Sequence, residues 1–377
     1  MAMRLRFLLP MLATGAWLSL APSSPAAATL PGGAVPATPV SAVPMPYADR
    51  GPFRVGVTSM VSPDGRLVEV WYPATPGPSA TDTYDLRAFV PPAIRALLTA
   101  SADATLTYDA ARDAPPADGR FPLVLFSHGF MGMRLQSTFL TAHLASWGMV
   151  VASPEHASRD LFNVLGNTAS GERADSVTDL LDALQLVEDS PVLGAHVDGG
   201  RVAAVGHSAG GATVAAAAAD PRIDGYVSMA SGLRADPPEP APAKPSFFLA
   251  GDHDGVVSPD TVTRTAFDGA ALPTTYWLLA GVGHNGFDDF CTLGGGTGII
   301  GVAEQSGLGP LLDAQPRLRL LGEDGCKPPN RPVTEVYPII RHGVTAWLRH
   351  LFGVDAAPTP MDAATLVANG VTVADRE

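Results

Sequence analysis

The residues best suited to chemistry sit together in Gly206-His207-Ser208-Ala209-Gly210. A short apolar run, residues 202–205, precedes them, and an alanine-rich run with high helix propensity follows. Strand, sharp turn and helix with a Ser at the apex is an arrangement that strains the Ser backbone and exposes its hydroxyl. Bulky flanking residues would clash, which explains the small neighbours. The helix behind the turn brings N–H groups and a positive dipole end toward developing negative charge.

A serine hydroxyl is a poor nucleophile at neutral pH. It needs a base, a group to orient the base and donors for an oxyanion. The base expected here is His284, in Gly281-Val282-Gly283-His284-Asn285-Gly286, where glycines give the ring room. His342 and His350 read as surface or helix-end residues. His207 should point elsewhere on the turn, and His156 could line the site. The orienting acid should follow the strand at residues 246–250. Asp254 is favoured, because it precedes an apolar pair and then a Pro, and Asp252 is the alternative. The oxyanion donors expected are the backbone N–H groups of Ala209 and Phe130, the latter after Ser127-His128-Gly129.

These groups need a scaffold that gathers loops from distant parts of the chain. Strand candidates occur at residues 53–60, 67–72, 121–127, 149–152, 202–205, 226–229, 246–250 and, last, 274–279. Ser62-Pro63-Asp64-Gly65 is turn chemistry and predicts that the first two strands form an antiparallel hairpin. Helical patterns fall at 92–99, 136–147, 173–188, 209–219, 260–267 and 335–351. Alternating strands and helices predict an α/β chain: a mixed, mostly parallel sheet of about eight strands with helices on both faces. In such sheets the chemistry gathers at the carboxyl ends of the strands, where Ser208 falls.

The chain has 377 residues, of which 46% are hydrophobic and 16% charged, so a large core is available. A formal net charge of −13 makes nucleic acid and anionic lipid surfaces poor partners. Residues 1–28 read as a signal peptide, with Arg4 and Arg6, an apolar stretch, and Ala26-Ala27-Ala28 at a cleavage position. An uncleaved anchor is the alternative, although the apolar run is short for a span. Residues 29–46 form a Pro/Ala-rich linker, 47–355 the catalytic domain and 356–377 a C-terminal tail. Secretion, extracellular or periplasmic, follows, with no stable membrane insertion. In an oxidising compartment Cys291 and Cys326 should form one disulfide, free thiols being the alternative. Such a bridge should steady the loop that carries His284. No metal or organic cofactor is implied, and the oligomeric state is not legible.

Ser127-His128-Gly129-Phe130, Gly206-His207-Ser208-Ala209-Gly210-Gly211-Ala212-Thr213 and Gly283-His284-Asn285, in that order, resemble an α/β-hydrolase. Over residues 47–352 the chain is similar to secreted bacterial serine esterases and lipases. These are the relatives of platelet-activating factor acetylhydrolases, dienelactone-hydrolase-like proteins and polyester hydrolases. Gly51-Pro52-Phe53-Arg54-Val55-Gly56 and Val70-Trp71-Tyr72-Pro73 look like the start of the acetylhydrolase-type domain. The resemblance implies hydrolysis of a small-molecule or lipid carboxylic ester through an acyl-enzyme on Ser208.

Three departures narrow the resemblance. Animal acetylhydrolases place the acid one strand earlier, where this chain reads Ser228-Met229-Ala230-Ser231. Polyester hydrolases carry a Trp platform where Ser231-Gly232-Leu233 stands. Dienelactone hydrolases proper use Cys as nucleophile. An acyltransferase using the same three residues, and a non-catalytic binding protein on this scaffold, are the competing readings.

Overall fold

The computed structural model describes residues 45–232, 241–356 and 363–376. The leader expected at 1–28, most of the linker expected at 29–46, and Leu233 lie outside the described residues.

Twelve strands occur among the described residues: β1 (Arg54–Val61), β2 (Leu67–Ala74), β3 (Thr81–Asp85), β4 (Thr105–Asp109), β5 (Ala111–Arg112), β6 (Phe121–Ser127), β7 (Val150–Pro154), β8 (Val197–His207), β9 (Gly225–Met229), β10 (Ser246–Gly251), β11 (Thr274–Leu279) and β12 (Val371–Arg376). Ten of them form one sheet in the order β12-β11-β10-β9-β8-β6-β7-β2-β1-β5, and β3 pairs with β4 alone. The pairs from β7 through β6, β8, β9 and β10 to β11 are parallel. The hairpin predicted at the start is antiparallel, Arg54 opposite Ala74 through Val61 opposite Leu67.

The helices are α1 (Pro92–Arg95), α2 (Thr138–Ser146), α3 (Leu161–Gly166), α4 (Arg173–Glu188), α5 (Ala209–Ala217), α6 (Arg264–Gly269), α7 (Gly298–Gln305), α8 (Gly309–Asp313), α9 (Pro316–Glu323), α10 (Val333–Leu351) and α11 (Ala363–Ala368). The parallel strands are buried on both faces, which is why they read as unbroken apolar runs. Along β6, Val124 and Phe126 face one core layer with Leu140 and Leu144 of α2 and Ile340 and Val344 of α10. Leu123 and Leu125 face the other layer, with Leu180 and Leu184 of α4, Val214 of α5 and Phe267 of α6.

The sheet has ten strands where about eight were expected. β5 is two residues long, too short to leave a pattern. The segment expected as a tail supplies α11 and β12. β12 pairs antiparallel with β11 from Thr274 opposite Arg376 to Leu279 opposite Val371. It contains Asp375 and Arg376, charges typical of an edge strand, and Arg376 donates to the carbonyls of Phe267 and Asp268. The helix expected at 92–99 contracts to the single turn α1. The Gly-rich stretch 290–332 winds into α7, α8 and α9.

Cys291 and Cys326 form a disulfide with their Cα atoms 4.8 Å apart. It joins the turn at Phe290–Thr292 to the residues just after α9, so it pins the α7–α9 segment beside the loop that follows β11.

Two outcomes follow for stability. A chain ending before Ala363 loses β12 and bares the edge of β11, and its melting temperature falls by several degrees. An unchanged melt contradicts the role given to β12. Replacing Cys326 by Ser reopens a loop of 35 residues, at a cost of up to about 4 kcal/mol by loop entropy. An unchanged urea midpoint contradicts that.

Candidate active site

The parallel strands β6, β8, β10 and β11 end at the same edge of the sheet, and each delivers one part of the site. At the end of β8, Ser208 takes φ 56° and ψ −125°, a conformation costly for any residue with a Cβ. Its neighbours hold it there. A Cβ on Gly206 would strike the backbone of Gly210, and one on Gly210 would strike the carbonyl of Ser127. The Ser208 N–H donates to the carbonyl of Met229 at 2.9 Å, which locks the turn to β9.

His284 lies after β11, with Nε2 2.9 Å from the Ser208 hydroxyl and Nδ1 2.9 Å from Asp254 Oδ2. The other oxygen of Asp254 accepts from the N–H groups of Val256 and Val257, at 2.9 and 2.7 Å. The carboxylate is thereby fixed from both sides. Asp252, the alternative acid, points away and accepts from the Gly281 N–H at 2.6 Å. All three side chains are buried or nearly so. Burial would push the His284 imidazole down. The charge of Asp254 and its hydrogen bond, with lesser influences from Asp288 and Asp324, outweigh it and hold the ring above its ordinary value.

Ala209 opens α5, so its N–H has no intrahelical acceptor. The N–H of Phe130 has no partner among the described residues. The loop that carries Phe130 presses on Ser208, and a Cβ on Gly129 would stand 3.2 Å from Ser208 Cβ. A small pocket, open to solvent, begins here. Phe130, Met131, Phe290, Ile299, Leu318 and Leu321 supply its apolar lining.

Four residues that the sequence reading passed over brace this arrangement. The Gln136 side-chain oxygen accepts from the Gly129 N–H at 2.7 Å, and its NH₂ donates to His207 Nδ1 and Asp288 Oδ2. His207 therefore carries its proton on Nε2, which donates to the carbonyl of His284. Burial, with His284 beside it, keeps His207 neutral. Burial raises the Asp288 carboxyl to about 8. Arg159, buried, donates to the carbonyl of His128, to Ser127 Oγ and to Thr213 Oγ1, while its own carbonyl accepts from Met131 N–H. Asp324 accepts from the N–H groups of His284 and Gly255. None of the four stands in a spacing pattern, and only the fold brings them to the loops.

His156 does not line the pocket. It is buried between Ser127 and Asp179, at 2.9 Å from each, and burial holds it neutral. His342 is also buried rather than at the surface, and its Nδ1 accepts from the Tyr47 N–H.

A family model described as chlorophyllase matches residues 103–235, about a third of the chain. That span includes Phe130, Ser208 and Ala209 but stops short of Asp254 and His284. The search of the curated proteins found no match. Among solved structures, the chain is similar to a ferulic acid esterase from Streptomyces cinnamoneus, with a TM-score of 0.64 and 20% identity. The likeness covers 86% of this chain and 97% of that one. At that identity the likeness speaks for the fold, and the site must be argued from its own geometry. The sheet, its helices and the likeness to that structure show that this chain has the α/β-hydrolase fold.

Proposed function

We propose that the protein is a serine hydrolase that cleaves carboxylic esters through an acyl-enzyme on Ser208. The observation that carries this reading is the continuous chain Ser208–His284–Asp254, with both links at 2.9 Å, at the mouth of an apolar pocket. The chlorophyllase-family match and the esterase neighbour agree with ester hydrolysis.

Ser208 Oγ attacks the ester carbonyl carbon while its proton passes to His284 Nε2. Asp254 keeps the other ring proton on Nδ1, so Nε2 is free to accept, and it balances the imidazolium that forms. The carbonyl oxygen becomes an oxyanion, held by the N–H groups of Ala209 and Phe130, each donor worth about 3 to 4 kcal/mol of barrier. Collapse of this intermediate breaks the bond to the alcohol oxygen, which takes the proton from His284. Water, deprotonated by the same ring, then releases the acid and restores Ser208.

Apart from His284 and His207, which burial keeps neutral, the pocket lining carries no titratable side chain. That suits an uncharged, apolar acyl or aryl group better than one bearing phosphate or carboxylate. The disulfide, together with the leader expected at residues 1–28, supports action outside the cytoplasm. No helix among the described residues is long and apolar enough to cross a membrane.

Ser208→Ala should lower kcat on p-nitrophenyl butyrate by a factor on the order of 10⁴ to 10⁶ and abolish labelling by a fluorophosphonate. Undiminished turnover in that variant removes the mechanism. The pH profile gives a second check. His284 must be neutral to act and its value is raised, so kcat/KM should fall as pH drops through a point above 6.5. An acid limb well below 6.5 contradicts the environment described for the ring.

A further inference from the structure

Asp324 belongs to no part of the proposed reaction, yet its carboxylate reaches the two loops that must stay in register. Its Oδ2 accepts from the backbone N–H of His284 at 2.6 Å and from that of Gly255, next to Asp254, at 3.2 Å. The Asp324 carbonyl accepts from the Asn285 N–H at 2.9 Å. One half-buried residue thus binds the backbone of the base, the residue after the base and the residue after the acid.

The surrounding chain is shaped for this contact. Gly283 and Gly325 meet backbone to backbone, so that a Cβ on either would strike the other. Gly325 also has φ +91°, a conformation open to glycine. The disulfide lies alongside, because Cys326 is two residues beyond Asp324 and Cys291 follows the His284 turn. From His284 to Cys291, across the bridge, and back from Cys326 to Asp324, the chain closes a small ring on the His284 N–H.

We propose that Asp324 is a positioning residue. It holds the Asp254 and His284 loops at hydrogen-bonding distance, it adds negative charge behind the imidazole, and the Cys291–Cys326 bridge keeps it in place. The inference rests on the reading of Ser208, Asp254 and His284 as a triad. Asp324 lies on the segment between α9 and α10, outside the acid loop and outside the base loop, and does not line the pocket.

The groups that face His284 are Asp254, Asp288, Asp324 and the ring of His207, whose centroid is 4.8 Å away. His207 is neutral, and the Asp254 and Asp288 carboxyls are left intact by a change at Asp324. Asp324→Asn keeps an oxygen that can accept both N–H groups and removes the charge. Less negative charge makes the imidazolium less favourable, so the ring loses its proton at lower pH.

The test is the pH dependence of kcat/KM on p-nitrophenyl butyrate for the wild type, Asp324→Asn and Asp324→Ala, with thermal melts of each. In Asp324→Asn the acid limb should move to lower pH, with the high-pH plateau within about threefold of wild type. Asp324→Ala, which leaves both N–H groups without their acceptor, should lower kcat by about tenfold to a hundredfold with KM little changed. If the alanine variant does not fold, the asparagine profile and its rate of fluorophosphonate labelling at pH 6 and pH 8 decide. An acid limb that stays put in Asp324→Asn overturns the inference while leaving the triad standing. Wild-type turnover that survives Ser208→Ala overturns the triad, and this inference with it.

Discussion

Ser208 is held at a positive φ with no room on either side, and the positions of the other groups follow from that constraint. The hydroxyl can stand clear of the sheet only because Gly206 and Gly210 lack a Cβ, and because the Ser208 N–H is taken by Met229. The same turn starts α5, so the strained residue and the free N–H of Ala209 come from one local event. Strain of this kind costs on the order of 1–3 kcal/mol and persists only where the surroundings over-determine it. Here they do so through packed backbone, which leaves few alternatives to relax into.

Around this turn the structure solves a second problem, that of holding polar groups in a dry interior. Gln136, His207, Asp288 and Arg159 all lie beneath the loops of the site, and each would be costly if left unpaired. They are paired chiefly with backbone groups or with one another. Gln136 ties the Phe130 loop to the Ser208 turn and to the loop after His284, while Arg159 ties the same loop to α5 through Thr213. Satisfied hydrogen bonds therefore join the loops of the site to one another. This is a demanding arrangement, because removing one partner strands another.

Much of this was legible in the sequence, for identifiable reasons. The Ser208 turn shows itself because small residues must flank a strained Ser. The parallel strands show themselves because burial on both faces forces apolar runs, as in Phe121–Ser127. His284 and Asp254 could be named because each follows such a run. What stayed hidden depends on contacts across long stretches of chain. β12 is polar on its exposed side and half-buried, so it reads as a tail until β11 is there to pair with it. The short helices between residues 298 and 323 leave little periodic signal, as expected of pieces about two turns long or shorter. Arg159, Gln136 and Asp324 look like any surface residue until the fold encloses them. His156 misled in the opposite sense. It sits on a loop after a strand, yet its partners Ser127 and Asp179 draw it inward.

The central claim is that Ser208 carries the acyl group during turnover. The most direct measurement is rapid acid quenching during hydrolysis of a slowly deacylated ester, followed by mass spectrometry of the intact protein and its peptides. The account predicts an increment equal to the acyl group, confined to the peptide that contains Ser208 and lost as the reaction completes. Ester consumption with the adduct on another residue, or with no adduct under conditions where deacylation is rate-limiting, would contradict it.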